Sequence, residues 1–336
     1  MWAGVAAMRR VLFLGGGGLI SSAVADTLVK AGDELTIITR GPLKRACPGA
    51  THHLADVTDP TALRGIVGDR QWDAIVNWVA YRPADFVDHV ELFSGLTGQY
   101  VLISTCSVFA RPVPCLPITE SSARRQATFD YPRGKLECEF AAEQIFQQTG
   151  FPIAIIRPFH SYDRSVIPLL SGMTALQRMH TGQAVVVYGD GTSLWSLTHT
   201  SDFAAALVPL LGDSRIVGES LNIVDDTMVT WDQIHLMLAR AVGVERPRLI
   251  HVGYEEIGRR IPGLADVMEH DFRHSMVFDT SKLRRLLPGW SPRVSFSQGA
   301  RDIVHHVFAD PVSQVDPALM TIMDDIVHEQ EVTEHG

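Results

Sequence analysis

Short apolar runs alternate with longer segments of mixed polarity through the first half of the chain. Val11 to Leu14, Leu35 to Thr39, His52 to Leu54, Ala74 to Asn77, Tyr100 to Ser104 and Ile153 to Ile156 read as strands buried on both faces. Between them, helices are expected near Ser22 to Ala31, Ala84 to Leu96 and Arg133 to Thr149, the last closed by Gly150 and then Pro152. Strand and helix in regular alternation predict an α/β fold with a doubly wound parallel sheet. After Tyr162 the pattern is less regular. Val185 to Tyr188 and Ser220 to Val224 read as further strands, and Thr230-Trp231-Asp232-Gln233 as a capping box opening a helix to Val242. The expected organisation is a nucleotide-binding domain over 8–162 with a return segment near 198–224, and a smaller mixed α/β substrate domain mainly over 163–310. The segments 1–7 and 325–336 are expected to be disordered.

Composition narrows this picture. The chain has 336 residues, 46% of them hydrophobic, enough for one or two domains with a sizeable core. A formal charge of -9 weighs against nucleic acid as a partner, since phosphate binding wants a basic stripe and only clusters such as Arg124-Arg125 and Arg259-Arg260 occur. Cys47, Cys106, Cys115 and Cys138 form no CxxC pair and no zinc-like spacing with histidine, so no metal is expected. They read as reduced thiols in a cytoplasmic protein. Arg9-Arg10 before an apolar run resembles a twin-arginine export signal, but the run breaks at once into glycines, and a first strand explains it better. Met8 is an alternative start. No segment approaches the ~20 apolar residues of a membrane span.

The chemistry lies in two motifs. Val11-Leu12-Phe13-Leu14 runs straight into Gly15-Gly16-Gly17-Gly18-Leu19-Ile20-Ser21 and a helix-like segment. Strand, glycine turn and helix start in that order form a dinucleotide site: Gly15 permits the tight turn, Gly18 lets a pyrophosphate approach the backbone, and Ser21 is small enough for close helix packing. Amides at the following helix N-terminus, near Ser21 and Ser22, face the phosphates. Alone, four glycines could be a flexible turn. The second motif is Tyr131-Pro132-Arg133-Gly134-Lys135 with Thr105 upstream. A Tyr and a Lys one helical turn apart form a proton-transfer pair, provided the phenolate is stabilised against its ordinary pKa of ~10. A positive charge within a few ångströms lowers such a pKa by roughly 1 to 3 units.

With the glycine turn, Thr105 and YxxxK in this order, the chain resembles the extended short-chain dehydrogenase/reductase family, the NAD-dependent epimerase/dehydratase group. The group's TGxxGxxG reads here Leu14-Gly15-Gly16-Gly17-Gly18-Leu19-Ile20-Ser21, so its first Thr and last Gly are replaced. Asp73 to Ala80 is similar to the fourth strand, Arg157-Pro158-Phe159-His160-Ser161-Tyr162 to RPxNxYG, and Asp279-Thr280-Ser281-Lys282 to a late DxSK element. The Thr39-Arg40-Gly41 step resembles the branch that includes the chloroplast stem-loop-binding proteins.

The resemblance implies a Rossmann-type fold, a homodimer, and Thr105, Tyr131 and Lys135 as catalytic residues, with Ser104 as fallback for Thr105. It implies cofactor contacts from Gly15, Gly18, Leu19, Ile20, Arg40, Asp56, Val57, Val79, Ala80, Tyr131, Lys135, Pro158 and His160. Thr39 lacks the carboxylate that would bind NAD's adenine ribose while Arg40 suits a 2'-phosphate, so NADP is expected, with NAD as the alternative. Candidate substrate contacts are Cys106, Ser107, His160, Trp195 and Arg273, with His274 beside it. Family dehydratases carry Asp-Glu where Cys106-Ser107 stand, which disfavours dehydration. Trp195 replaces an Arg that often grips a nucleotide phosphate.

These features support an NAD(P)-dependent oxidoreductase acting on a secondary alcohol or ketone of a sugar, nucleotide sugar or nucleoside. Epimerisation is the first expectation and NADPH-dependent ketoreduction the second. A different class, a nucleotide-sensing or RNA-associated binding protein without turnover, shares the same fold. Tyr131→Phe separates them: in an enzyme, steady-state assays register loss of most of the rate, whereas a binding protein keeps its function.

Overall fold

The structure is a computed structural model that describes residues 8–125, 130–309 and 315–335; the expected disorder of 1–7 lies outside the described residues. In the first half, strands β1 (Arg10–Leu14), β2 (Glu34–Thr39), β3 (Thr51–Leu54), β4 (Ala74–Asn77), β5 (Tyr100–Ile103) and β6 (Ile153–Pro158) alternate with helices α1 (Leu19–Ala31), α2 (Pro60–Val67), α3 (Val87–Phe93) and α4 (Asp130–Thr149). Beyond them lie β7 (Ser161–Tyr162), α5 (Gly172–His180), β8 (Val185–Tyr188), β9 (Leu194–Ser196), β10 (Thr198–His199), α6 (Thr200–Leu207), β11 (Ser220–Ile223), β12 (Met228–Thr230), α7 (Trp231–Ala241) and β13 (Leu249–Val252).

Seven strands form one sheet in the order β11-β6-β5-β4-β1-β2-β3. Every pairing in it is parallel. The sequence reason is plain in the central strands: all residues of β4, β5 and β6 are buried, as apolar runs covered by helices on both faces must be. Because the strands are parallel, their carboxyl ends emerge along one edge, where the loops after β1, β4, β5 and β6 meet. β11 joins this sheet beside β6, while β8 pairs with β13 and β9 with β12 over that edge.

Two expectations shift. The helix expected over Ala84 to Leu96 is only Val87–Phe93, preceded by a separate turn at Pro83–Asp85. The Asp85 carboxylate accepts from the amides of Tyr81 and Arg82, both at 2.8 Å, and this local turn competes with the helix. Of the segment 325–336, expected to be disordered, residues 325–335 continue a helix over Pro317–His335, and 336 lies outside the described residues. Met323 and Ile326 are buried there in the apolar cluster that includes Val185 and Val187 of β8 and Leu238 of α7, which outweighs the charged flank of the tail. At α7 the capping box forms as read: the Thr230 hydroxyl accepts from the Gln233 amide, and the Gln233 side chain accepts from the Thr230 amide.

α4 is fastened to the sheet by charge. Glu139, fully buried on α4, accepts from Nε and Nη2 of Arg157 on β6, both at 2.8 Å, and from Arg124 at 2.7 Å. Burial by itself raises the Glu139 carboxyl, but the hydrogen bonds and charge of Arg157 outweigh it and hold the group below the usual carboxylate range. Removing one partner of such a pair leaves an uncompensated buried charge. Glu139→Ala is therefore expected to cost about 3–5 kcal/mol, read from urea denaturation. A loss under about 1 kcal/mol, the surface-pair range, would remove this network from the account of the fold.

Candidate active site

A cleft of about 1320 Å³ opens along the carboxyl ends of the strands. One end of it is the glycine turn. Gly15 has φ +82, and a Cβ there would lie 2.5 Å from Val79, so the turn runs hard against the loop after β4. Gly17 faces open space, and the nearest atom to a Cβ on Gly18 would be Ser21 Oγ at 3.5 Å. Ser21 itself is buried, and its hydroxyl accepts from the Gly18 amide at 2.9 Å, closing the turn where a glycine was expected. The first amides of α1 thus reach the cleft without an intrahelical partner, a fitting cradle for a diphosphate.

Behind the loops that line the cleft lies a buried chain of neutral groups with fixed polarity. Asn77 Oδ1 accepts from the amides of Val79 and Ala80 at 3.0 Å, and its Nδ2 donates to the Tyr100 hydroxyl at 2.8 Å. His89 Nε2 must donate to the Val57 carbonyl at 2.8 Å, so its Nδ1 accepts from Tyr100 at 2.7 Å. Desolvation lowers the His89 pKa, which keeps the ring neutral. This chain ties the loops after β3 and β4 together. The strand pattern revealed Asn77 and Tyr100 as buried positions but not their pairing with His89.

At the other end stand Thr105, Tyr131 and Lys135, all lining the cleft. Thr105 opens a short turn, and its Oγ1 accepts from the Ser107 amide at 3.2 Å, leaving its proton for the cleft. Tyr131 and Lys135 lie in the first turns of α4. Between them, Gly134 allows close approach: a Cβ there would sit 2.3 Å from the Tyr81 carbonyl oxygen. Lys135 is buried, and its Nζ donates to the Ile103 carbonyl at 2.9 Å and lies 4.4 Å from the Tyr81 ring centroid. Ser104, the fallback for Thr105, also lines the cleft but is 2% exposed.

The electrostatics differ from expectation. Tyr131 is 46% exposed as a residue. Even so, its pKa is pushed up to about 12, chiefly by desolvation within the cleft and further by Tyr81 and Asp271, against a hydrogen bond from Thr105 that pulls it down. The Lys135 ammonium is engaged with the Ile103 carbonyl and the Tyr81 ring. Desolvation in turn lowers Lys135 to about 8.

Of the expected cofactor contacts, Gly15, Gly18, Leu19, Ile20, Arg40, Asp56, Val57, Val79, Tyr131, Lys135, Pro158 and His160 line the cleft. Ala80 does not: it is fully buried, turned inward by its hydrogen bond to Asn77. Thr39 donates to the Gly41 carbonyl at 2.6 Å, and Lys44 joins Arg40 at this end. Of the expected substrate contacts, Ser107, His160 and Trp195 line the cleft. Trp195 Nε1 donates to His160 Nδ1 at 2.9 Å, and desolvation lowers His160 to about 4, so the ring is neutral with its proton on Nε2.

Two substrate candidates are corrected. Cys106 is fully buried, its thiol donating to the Arg157 carbonyl at 3.4 Å, and burial pushes its pKa well up, which removes it as a base. Arg273 pairs with Glu269 and Glu255 away from the cleft. Its neighbour His274 contacts the Glu269 carbonyl at 3.1 Å. The cleft residue is instead Asp271, on the wide helical turn Met268–Phe272. No sequence motif marks it.

The sheet order, the glycine turn and the Tyr-Lys pair define a Rossmann-type dinucleotide-binding oxidoreductase. The chain belongs to the NAD dependent epimerase/dehydratase family, whose model matches residues 11–223. It is accordingly an enzyme of the extended short-chain dehydrogenase/reductase type that uses a nicotinamide cofactor. It is 24% identical over 311 residues to a chloroplast stem-loop binding protein of 41 kDa from Arabidopsis thaliana, covering 88% of this chain and 78% of that one. Its fold matches dTDP-glucose 4,6-dehydratase from Bacillus anthracis in complex with NAD, with TM-score 0.72, 18% identity and 90% and 97% of the two chains covered. It also matches UDP-glucose 4-epimerase from Thermotoga maritima, with TM-score 0.70, 18% identity and coverage of 89% and 99%. Among the described residues no helix is long and apolar enough to cross a membrane.

Lys135 generates a pH prediction. Its pKa falls from 10.5 to about 8 on folding because burial penalises the ammonium. That penalty is complete below the folded value and fades as pH rises toward the unfolded one, so this group makes the protein more stable across that window. Lys135→Met is expected to stabilise the fold at neutral pH by on the order of 1–2 kcal/mol, to flatten this pH dependence and to abolish turnover. Thermal melts of both proteins across the window check it, and parallel stability curves would refute it.

Proposed function

We propose that the enzyme transfers a hydride at a secondary alcohol or ketone of a sugar, nucleotide sugar or nucleoside, with epimerisation as the net reaction and NADP as cofactor. The observation that carries this reading is that Thr105, Tyr131 and Lys135 share one cleft with the glycine turn. Tyr131 gives or takes the proton on the reacting oxygen, and Thr105 Oγ1 hydrogen-bonds that oxygen. Lys135 supplies the fixed positive charge beneath them.

The glycine turn fits a dinucleotide because its open face and free amides match a diphosphate. Gly15, Gly18, Leu19 and Ile20 would hold the pyrophosphate, Asp56 and Val57 would flank the adenine, and Val79, Pro158 and His160 would border the nicotinamide end. Arg40, exposed at the mouth beside Lys44, would pair with a 2'-phosphate. When bound, the cofactor supplies the hydride acceptor or donor.

Dehydration is disfavoured because Cys106 is buried and Ser107 carries no acid at the position following Thr105. NADPH-dependent ketoreduction is the second reading, supported by the cations Arg40 and Lys44, since a phosphate-bearing cofactor suits net reduction. RNA binding has a relative's name in its favour but a net charge of -9 against it. A homodimer through α3 and α4 is in keeping with Val87 and Phe140, 39% and 49% exposed on those helices.

The test is to denature the purified protein, identify released nucleotide by mass spectrometry, and titrate the emptied protein with NADPH and NADH. Retained NADP supports the full proposal. Stoichiometric NAD overturns the role given to Arg40 and favours a resident-cofactor epimerase. An empty protein preferring NADPH favours the reductase, and binding of neither sinks the nicotinamide reading.

A further inference from the structure

The cleft is electrically lopsided. The cations that line it are Arg40 and Lys44 after β2, Arg82 after β4, and Lys135 beneath the catalytic end. Arg82 lies 3.6 Å from Asp85, and Lys135 is engaged with the Ile103 carbonyl. Beyond Thr105, the charged lining residue is an acid, Asp271. The segment 126–129, outside the described residues, reads Gln-Ala-Thr-Phe and brings no charge.

Asp271 is held from behind. Its Oδ1 accepts from Arg111 Nη2 at 2.9 Å and its Oδ2 from Ser107 Oγ at 3.1 Å. Arg111 is 3% exposed, and its Nη1 is committed to the Phe109 carbonyl at 2.7 Å, so it balances the carboxylate without offering a fork to an incoming phosphate. A carboxylate has about four acceptor sites, and two are used here, which leaves acceptor capacity toward the cleft. Around it the wall is apolar: Phe159, Trp195 and Phe272 pack with ring centroids 4.7 and 5.0 Å apart, and Ile167 and Leu169 extend the surface. His160 adds one neutral N–H donor.

A diphosphate placed here would meet an anion and no available guanidinium or ammonium, and burying its charge unpaired is costly. A hydroxyl-bearing group with an apolar or aromatic face would meet an acceptor, a donor and aromatic rings that pack well on such faces. We propose that the substrate side of the cleft takes an uncharged polyol or glycoside, with Asp271 accepting a hydrogen bond from a substrate hydroxyl, and that it rejects nucleoside diphosphates. This rests on the hydride-transfer reading above and narrows its substrate class.

The test uses the full-length protein with saturating NADP⁺ and follows tryptophan fluorescence, to which Trp195 in the wall contributes. The probes are phenyl β-D-glucopyranoside, neutral with an aromatic face, and UDP-glucose, which carries a diphosphate. The glucoside is expected to bind about tenfold tighter or better, the equivalent of one lost charge-assisted hydrogen bond. Asp271→Asn is expected to weaken the glucoside by about tenfold, and Ser107→Ala, which frees the carboxylate, by a few-fold, both without changing NADPH affinity. UDP-glucose binding as tightly as the glucoside, or neither probe binding at millimolar concentration while NADPH still binds, overturns this inference alone. Failure of both NADPH and NADH to bind the wild type instead removes the hydride-transfer reading on which it rests.

Discussion

Glu139, buried without exposed surface, pulls α4 onto the sheet through the Arg157 guanidinium of β6, and the position of α4 sets everything at the site. One turn earlier on the same helix, Lys135 reaches the Ile103 carbonyl at the end of β5, so two polar contacts fix how far α4 descends between β5 and β6. On the opposite side the limit is steric, because Gly134 presses against the Tyr81 carbonyl and any side chain would hold the helix off. Tyr131 inherits its position from these constraints. A buried pair of this kind adds little net stability compared with apolar packing, but it tolerates one arrangement, and placement is what the proton-transfer residues require.

Desolvation is the second organising effect. It raises Tyr131, lowers Lys135 and keeps His89 and His160 neutral, so the cleft works with uncharged donors and acceptors except where a charge is individually supported. The directions of the hydrogen bonds follow from this. A neutral His89 must accept from Tyr100 because it donates to Val57, and a neutral His160 accepts from the Trp195 indole. Fixed polarity costs no reorganisation when a reacting oxygen changes charge, which is the physical advantage of a preorganised site.

The two halves of the cleft are chemically distinct. Around the glycine turn lie open amides with Arg40 and Lys44, an environment for phosphate. Beyond Thr105 lie aromatic rings, a neutral imidazole and the Asp271 carboxylate, an environment for hydroxyl groups. The proposed catalytic residues Thr105, Tyr131 and Lys135 stand at the junction.

Much of the fold was legible in the sequence because a parallel strand buried on both faces is an uninterrupted apolar run, and β4 and β8 match their runs residue for residue. The glycine turn and the Tyr-Lys spacing were legible for the same reason: each is a local device whose geometry is fixed within a few residues. Local patterns failed where a distant contact or a competing turn decided the outcome. Asp85 cut short the helix before β5, Cys106 turned toward Arg157, Ala80 was drawn inward by Asn77, and the helix over Pro317–His335 gained order from buried Met323 and Ile326. Asp271 is the clearest case, since it meets Ser107 and Arg111 across more than 150 residues of chain. The sequence by itself determined the sheet, the glycine turn after its first strand and the Tyr131–Lys135 spacing on α4. Which side chains face the cleft was decided only by the tertiary structure, because the wide turn at Met268–Phe272 places Asp271 in the cleft lining and Arg273 away from it.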